Sequence, residues 1–239
     1  MMKRKGLLAF FNNREFDKWC YVYFDTGLLY RYTKLLIIFG GLVRMAITIR
    51  LASLDDAKAL LDIYRYYVEE TAITFEYDVP TLEEFTGRMR SIMAFYPYLV
   101  AEEDDKIFGY AYASKFHPRA AYAWSAEATV YLDKVARGKG VGRQIYGKLE
   151  DYLTQMGILN LNACIASTDV EDTYLTNGSE KFHRALGYQL VGKFHDSGYK
   201  FNRWYDMIWM EKMLGEHGAD VAPVKSIHEI TKKSLTFMS

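Results

Sequence analysis

The clearest periodic pattern in the chain lies around residues 129–153. A short apolar run, Thr129-Val130-Tyr131-Leu132, has the length of a strand. Further on, Val141, Ile145, Leu149 and Leu153 recur every four residues, which is helical spacing. The same reasoning extends along the chain. Residues 46–51 alternate as a strand, and Ser53 with Asp56 three residues on opens a helix whose apolar face is Ala57, Leu60, Leu61, Tyr64, Tyr67 and Val68. Thr81-Leu82-Glu83-Glu84 is a second capping box, starting a helix that runs to about residue 94. Residues 98–103 and 106–114 are strands about an Asp104-Asp105 turn, and residues 124–132 form the next strand. Residues 159–165 form another strand. Residues 176–186 form a helix with Asn177 and Glu180 spaced as a cap pair and Gly187 as its stop. Two strands, 189–194 and 203–211, close the order around a turn at 198–202. Strand, helix, helix, three strands, helix, strand, helix and two strands predict one mixed α/β sheet with helices packed on it.

Between the strand and the helix stands Arg137-Gly138-Lys139-Gly140-Val141-Gly142-Arg143. Glycines let successive N–H groups turn toward a ligand, and a helix N-terminus adds unpaired donors and about half a positive charge. Three basic side chains reinforce that field, so the turn is a candidate phosphate or pyrophosphate site. It is not a Walker loop, because no GxxxxGK[ST] run occurs. Nor is it a Rossmann turn, because its third glycine comes too early and no acidic residue follows at the required distance. An Arg-x-x-Gly-x-Gly pattern remains.

Composition narrows little. The 239 residues are 50% hydrophobic and 25% charged, with zero net charge, so nothing global points to nucleic acid. Cys20 and Cys164 form no metal or disulfide pattern, Cys164 sits in an apolar run as a small core residue, and a reducing cytoplasm fits. Residues 1–44 differ from the rest: eight Lys and Arg against three acids give +5, which leaves −5 on the remainder. Their longest apolar run, 35–43, is nine residues, and a membrane span needs about 20. Met45 reads as the start of the domain and residues 1–44 as an upstream extension, with a peripheral membrane anchor as the rival reading. Residues 214–239 read as a surface appendage or disordered end.

Several separated segments resemble one family. The Arg-x-x-Gly-x-Gly loop is similar to the pyrophosphate loop of the GNAT superfamily of N-acetyltransferases. Residues 119–132 (RAAYAWSAEATVYL), 183–188 (HRALGY) and 197–206 (SGYKFNRWYD) resemble the phosphinothricin N-acetyltransferases within it. The resemblance covers roughly residues 47–212 and implies the GNAT acyl-CoA N-acyltransferase fold, a mixed, mostly antiparallel sheet flanked by helices, over a domain at 45–213.

It also implies roles. The backbone of Val130, Tyr131 and Leu132 pairs with the pantetheine arm of acetyl-CoA, Arg137, Gly138, Lys139, Gly140, Val141, Gly142 and Arg143 hold its pyrophosphate, and Asn177 binds near the thiol. Glu127 is the general base, while Arg119 and Tyr122 face an amino-acid substrate. His183 stands where the family often places the acid for the thiolate. The chain departs from the family at Ala126 and Leu132 and has a longer connection at 166–175.

The residues themselves support parts of this. Glu127 and Thr129 share a strand face, and the Val130 N–H can meet a thioester oxygen. Arg119 can clamp a carboxylate or phosphinate, and the loop carrying Phe75 is too aromatic to be a plain linker. Tyr77, Trp124, Tyr199 and Trp204 are further candidate walls.

The resulting expectation is a cytoplasmic, metal-independent acetyl-CoA:amine N-acetyltransferase, commonly a homodimer in this family. It acts on the α-amino group of a small amino acid or glutamate analogue such as phosphinothricin, methionine sulfoximine or methionine sulfone. The alternatives are another amine (polyamine, aminoglycoside or protein N-terminus) or a non-catalytic acyl-CoA-binding module.

Overall fold

The computed structural model describes residues 47–236. The expected extension at 1–44 and its rival reading as a membrane anchor lie outside the described residues. The elements are β1 (Thr48–Leu51), α1 (Ala57–Glu70), α2 (Leu82–Met93), β2 (Tyr98–Glu103), β3 (Lys106–Lys115), β4 (Ser125–Leu132), α3 (Val141–Met156), β5 (Asn160–Ser167), α4 (Gly178–Ala185), β6 (Gln189–Lys200), β7 (Arg203–Met213) and α5 (Ile227–Thr236). Up to β7 this is the order the periodicity predicts.

The seven strands make one sheet in the order β1-β2-β3-β4-β5-β7-β6. All neighbours are antiparallel except β4 and β5, which run parallel. Strand alternation divides the core. Tyr98, Val100, Tyr110 and Tyr112 face α1 and α2. Leu99, Ala101, Ala111, Ala113, Ala126 and Ala128 face α3, whose stripe Val141, Ile145, Leu149 and Leu153 is fully buried there.

Local chemistry explains the boundaries. The Ser53 N–H donates to the Asp56 carboxylate at 2.7 Å, so that capping pair opens a short 3₁₀ turn leading into α1. In the second box the Glu84 N–H donates to the Thr81 hydroxyl and the Thr81 N–H to the Glu84 carboxylate. Asp104 and Asp105, with φ of 47° and 62°, form the tight turn between β2 and β3.

Three expectations are corrected. The last hairpin turns at Phe201-Asn202, with φ of 51° and 57°, within the expected 198–202 connection, but β6 does not end at 194 and runs on to Lys200 through two register shifts. The Asn177–Glu180 cap pair is not made: the Asn177 amide holds the backbone of Thr168, and Glu180 pairs with Arg184. The C-terminal residues are no loose end. The Lys225 N–H donates to the Met156 carbonyl, the Ile227 N–H to the Phe95 carbonyl, and the Trp124 indole to the Ala222 carbonyl. Ile227 is buried, and Val224 and Ile230 pack on the α3 side of the core. We therefore propose that the domain runs through α5 rather than ending at 213.

Ile227→Ala is expected to cost about 2–4 kcal/mol, because the space it leaves lies between α5 and the main core. Urea denaturation, with an unchanged slope and a lower midpoint, is the check.

Candidate active site

β4 and β5 pair over only three residues, Ser125 with Asn160, Ala126 with Leu161 and Glu127 with Asn162, and then diverge. The divergence opens a cavity of about 430 Å³. Its walls come from both faces of the sheet: Phe75 from the α1–α2 loop, and Tyr146 and His183 from α3 and α4. It is a passage through the sheet.

The backbone of β4 is directed into this passage by its register with β3. In an antiparallel pair, alternate residues turn both N–H and C=O toward the partner. The Asp133 N–H donates to the Phe108 carbonyl, so Asp133 and Tyr131 turn toward β3. Val130 therefore presents both its N–H and C=O to the open side, and Ala128 its C=O, the Ala128 N–H being taken by the Asn162 carbonyl in the last β4–β5 bridge. Leu132 does so too, but both its groups are taken: its N–H donates to the Tyr67 hydroxyl at 2.9 Å, and that hydroxyl donates to its carbonyl at 2.7 Å. Of the three residues expected to pair with a pantetheine arm, only Val130 has backbone groups free in the cleft.

Glu127 lines the cavity and has no hydrogen-bond or ion-pair partner among the described residues. Burial pushes its carboxyl above the usual carboxylate range, since the charged form is the one that loses solvation. Cys164, expected in the core, instead opens into the same cavity. Burial and the Glu127 carboxylate push its thiol up to about 11. It stays protonated at neutral pH and is a poor acyl carrier.

His183 is buried rather than on a helix surface. Its Nδ1 lies 2.8 Å from the Ser179 carbonyl, which can only accept, so Nδ1 carries the proton and Nε2 accepts from the Tyr146 hydroxyl at 2.8 Å. Burial lowers the imidazole pKa, so at neutral pH the ring is neutral with both nitrogens engaged. That disfavours His183 as the direct acid. The Tyr146 hydroxyl is on the cavity wall, and burial raises its pKa strongly, so it acts as a donor that keeps its proton. Tyr146 was hidden in the sequence because its place beside the α3 stripe reads as core.

The glycine loop sits at the head of α3. Gly138 and Gly140 have φ of 72° and 79°, a conformation that a side chain strains, and Gly140 caps α3 with no side-chain acceptor for the first N–H groups. Gly142 leaves room for the Phe182 ring, which a Cβ there would meet at 3.1 Å. Arg137 stacks over Tyr66 and Tyr67, and Arg143 donates to the Ala185 carbonyl. Lys139, by contrast, has no partner among the described residues. The loop and the exposed β4 edge fit a long thin ligand ending in phosphates, such as acetyl-CoA.

The remaining candidates lie apart. Asn177 is held on Thr168 and does not line the cavity. Arg119 and Tyr122 lie on the β3–β4 connection, outside the cavity wall. There Tyr122 packs on Phe116 and His117. Tyr199 and Trp204 are exposed, and Trp124 faces the C-terminal segment. The 168–177 connection between β5 and α4 is pinned to β7 by Asp172, which pairs with Arg203 at 2.6 Å and accepts from the Tyr205 hydroxyl at 2.9 Å. A larger groove of about 560 Å³ lies between α1 and the end of β4, but of the predicted residues it includes only Leu132.

A sheet split after three paired residues, with a glycine-rich helix start at its mouth and a desolvated carboxylate in its wall, defines an acyl-CoA-dependent acyltransferase. The GNAT acetyltransferase domain pattern matches residues 49–209, and the chain belongs to that family. It is 34% identical over 164 residues to a phosphinothricin N-acetyltransferase of Streptomyces coelicolor, covering 67% of this chain and 92% of the relative. It is 30% identical over 173 residues to the L-methionine sulfoximine/L-methionine sulfone acetyltransferase of Salmonella typhimurium, covering 72% and 97%. A solved phosphinothricin acetyltransferase from Sinorhizobium meliloti, in complex with AcCoA, superposes with a TM-score of 0.67 at 35% identity, covering 75% of this chain and 94% of that one. The protein is an N-acetyltransferase with acetyl-CoA as its co-substrate.

The raised Glu127 pKa has a stability consequence. A carboxyl whose folded pKa lies above its unfolded value binds its proton more tightly when folded, so ionising it opposes folding. Glu127→Gln is expected to be more stable than wild type at pH 8, with the gap closing as pH falls through the raised pKa. Thermal unfolding of both proteins across pH 5–8 is the check.

Proposed function

We propose that the protein transfers acetyl to the α-amino group of a small amino acid or glutamate analogue of the phosphinothricin, methionine sulfoximine or methionine sulfone type. The observation that carries this is the unpartnered Glu127 carboxylate in the wall of the passage, beside the free backbone of Val130. Acetyl-CoA supplies an activated acetyl thioester. The chain does the rest. Glu127 takes a proton from the acceptor ammonium, directly or through water, freeing the lone pair that attacks the acyl carbon. The Val130 N–H donates to the acyl oxygen as it gains charge. The C–N bond forms, the C–S bond breaks, and the second proton lost by the attacking nitrogen goes to the departing thiolate, toward which the Tyr146 hydroxyl turns its one proton away from His183 Nε2. Transfer is direct, because Cys164 is held as a thiol.

Gly138, Gly140, Val141, Gly142 and Lys139 hold the pyrophosphate, with Arg137 and Arg143 adding field. Phe75 bounds the acceptor side. Arg119 and Tyr122 reach an acceptor carboxylate or phosphinate only if their connection folds inward. Asn177 acts on the thiol side indirectly, by fixing Thr168.

The chain works as a homodimer in the cytoplasm in this reading. Leu190, Val191 and Phe194, exposed together on β6, are the surface that favours pairing. Among the described residues no helix is long and apolar enough to cross a membrane. Sedimentation at two protein concentrations is expected to give twice the chain mass.

Glu127→Gln is expected to lower kcat/KM for the amino-acid acceptor by about 10²–10⁴-fold. In wild type the acid limb of kcat/KM should fall at a pH above the ordinary carboxylate range, because the base must be ionised and its pKa is raised. Thiol release from acetyl-CoA with a panel of amines measures both. Turnover with polyamines or peptides alone would discard the acceptor assignment, and acetyl-CoA binding without any turnover would favour a binding module.

A further inference from the structure

The last residues of β6 grip the α1–α2 loop. Lys200 is 3% exposed, and its ammonium donates to three backbone carbonyls: Val68 at 2.8 Å, Thr71 at 2.8 Å and Thr74 at 2.9 Å. An ammonium has three N–H donors and no acceptor, so its full capacity is spent on the last turn of α1 and the loop that follows it. Two residues earlier, a Cβ on Gly198 would meet the Phe75 ring at 2.3 Å; the ring rests where only glycine leaves room. Between them the Tyr199 carbonyl accepts from the Tyr77 hydroxyl. The loop held this way supplies Ile73, Thr74 and Phe75 to the cavity wall.

No catalytic step uses Lys200, and among the described residues no carboxylate forms an ion pair with it; Glu76 acts on it only electrostatically. Burying an unpaired ammonium is costly unless its hydrogen bonds are met. Three converging carbonyls meet them only when the loop has this one shape. The cation is thus a template for the loop.

We propose that Lys200 is a positioning residue that sets the acceptor wall, with Gly198 as the seat that fixes the depth of Phe75 and hence the size of amine admitted. This rests on the amino-acid acceptor reading above, but the two can fail separately.

The test uses the full chain and two variants. Lys200→Met keeps length and removes the charge, and it leaves Glu127, Val130 and the glycine loop untouched. Amide hydrogen exchange over residues 71–77 is expected to accelerate about tenfold or more, as expected when hydrogen bonds to a charged group are lost. The KM for the amino-acid acceptor should rise by a similar factor, while the Kd for acetyl-CoA changes less than about twofold. If Lys200→Met fails to fold, Gly198→Ala carries the test: it displaces the Phe75 ring, raises the acceptor KM, and is relieved in the Phe75→Ala background.

Unchanged exchange in folded Lys200→Met overturns the template. A loss of acetyl-CoA affinity equal to the loss of acceptor affinity overturns it as well, because that pattern marks general unfolding. Gly198→Ala with wild-type acceptor KM removes the size-limiting seat. If wild type acetylates no amino acid, the acceptor reading falls, and the exchange result alone decides whether Lys200 orders the loop.

Discussion

The structure depends on one interrupted interaction, the hydrogen bonding between β4 and β5 that stops at Glu127 and Asn162. A buried backbone donor or acceptor without a partner is costly, so strands seldom separate inside a sheet. Here the cost is met in two ways. Tyr67 takes both groups of Leu132, and the remaining groups on β4 face a cavity that solvent or a ligand can fill. The same separation places Glu127, from the α1–α2 side of the sheet, and Tyr146, from the α3 side, on one passage. A carboxylate and a hydroxyl thus reach the one cavity from opposite faces of the sheet without sharing an element.

Electrostatics in this passage follow from burial more than from ion pairs. Glu127, His183, Tyr146 and Cys164 are each shifted toward the neutral form with desolvation as the first cause. One environment therefore makes the carboxylate a stronger base and the thiol a weaker nucleophile, and that combination suits proton removal and discourages a covalent route.

The fold up to β7 was legible because apolar period, capping boxes and turn residues all act over a few positions. Glu127, Val130, Phe75 and His183 do meet in one cavity. What the sequence hid were contacts between distant segments. Tyr67 on Leu132, Tyr146 on His183 and Lys200 on Thr71 and Thr74 join residues 37 to 129 positions apart, and no local spacing encodes them. Gly198 fell in the expected 198–202 connection, whereas it lies within β6 and makes room for a ring. The C-terminal segment looked loose because its few apolar residues, Val224, Ile227 and Ile230, matter only against a face formed far upstream.

The free Ala128 carbonyl and the free backbone groups of Val130 also bear on how this protein keeps to itself. An unpaired strand edge invites another chain to add a strand, and that is a common route to aggregation. In this sheet those groups open inward, between two strands that are fully paired three residues away and stoppered by one tyrosine at the far end. A foreign polypeptide carrying side chains on both faces cannot enter such a slot, while a slender unbranched arm can. The split that makes the sheet reactive is thereby kept from making it sticky.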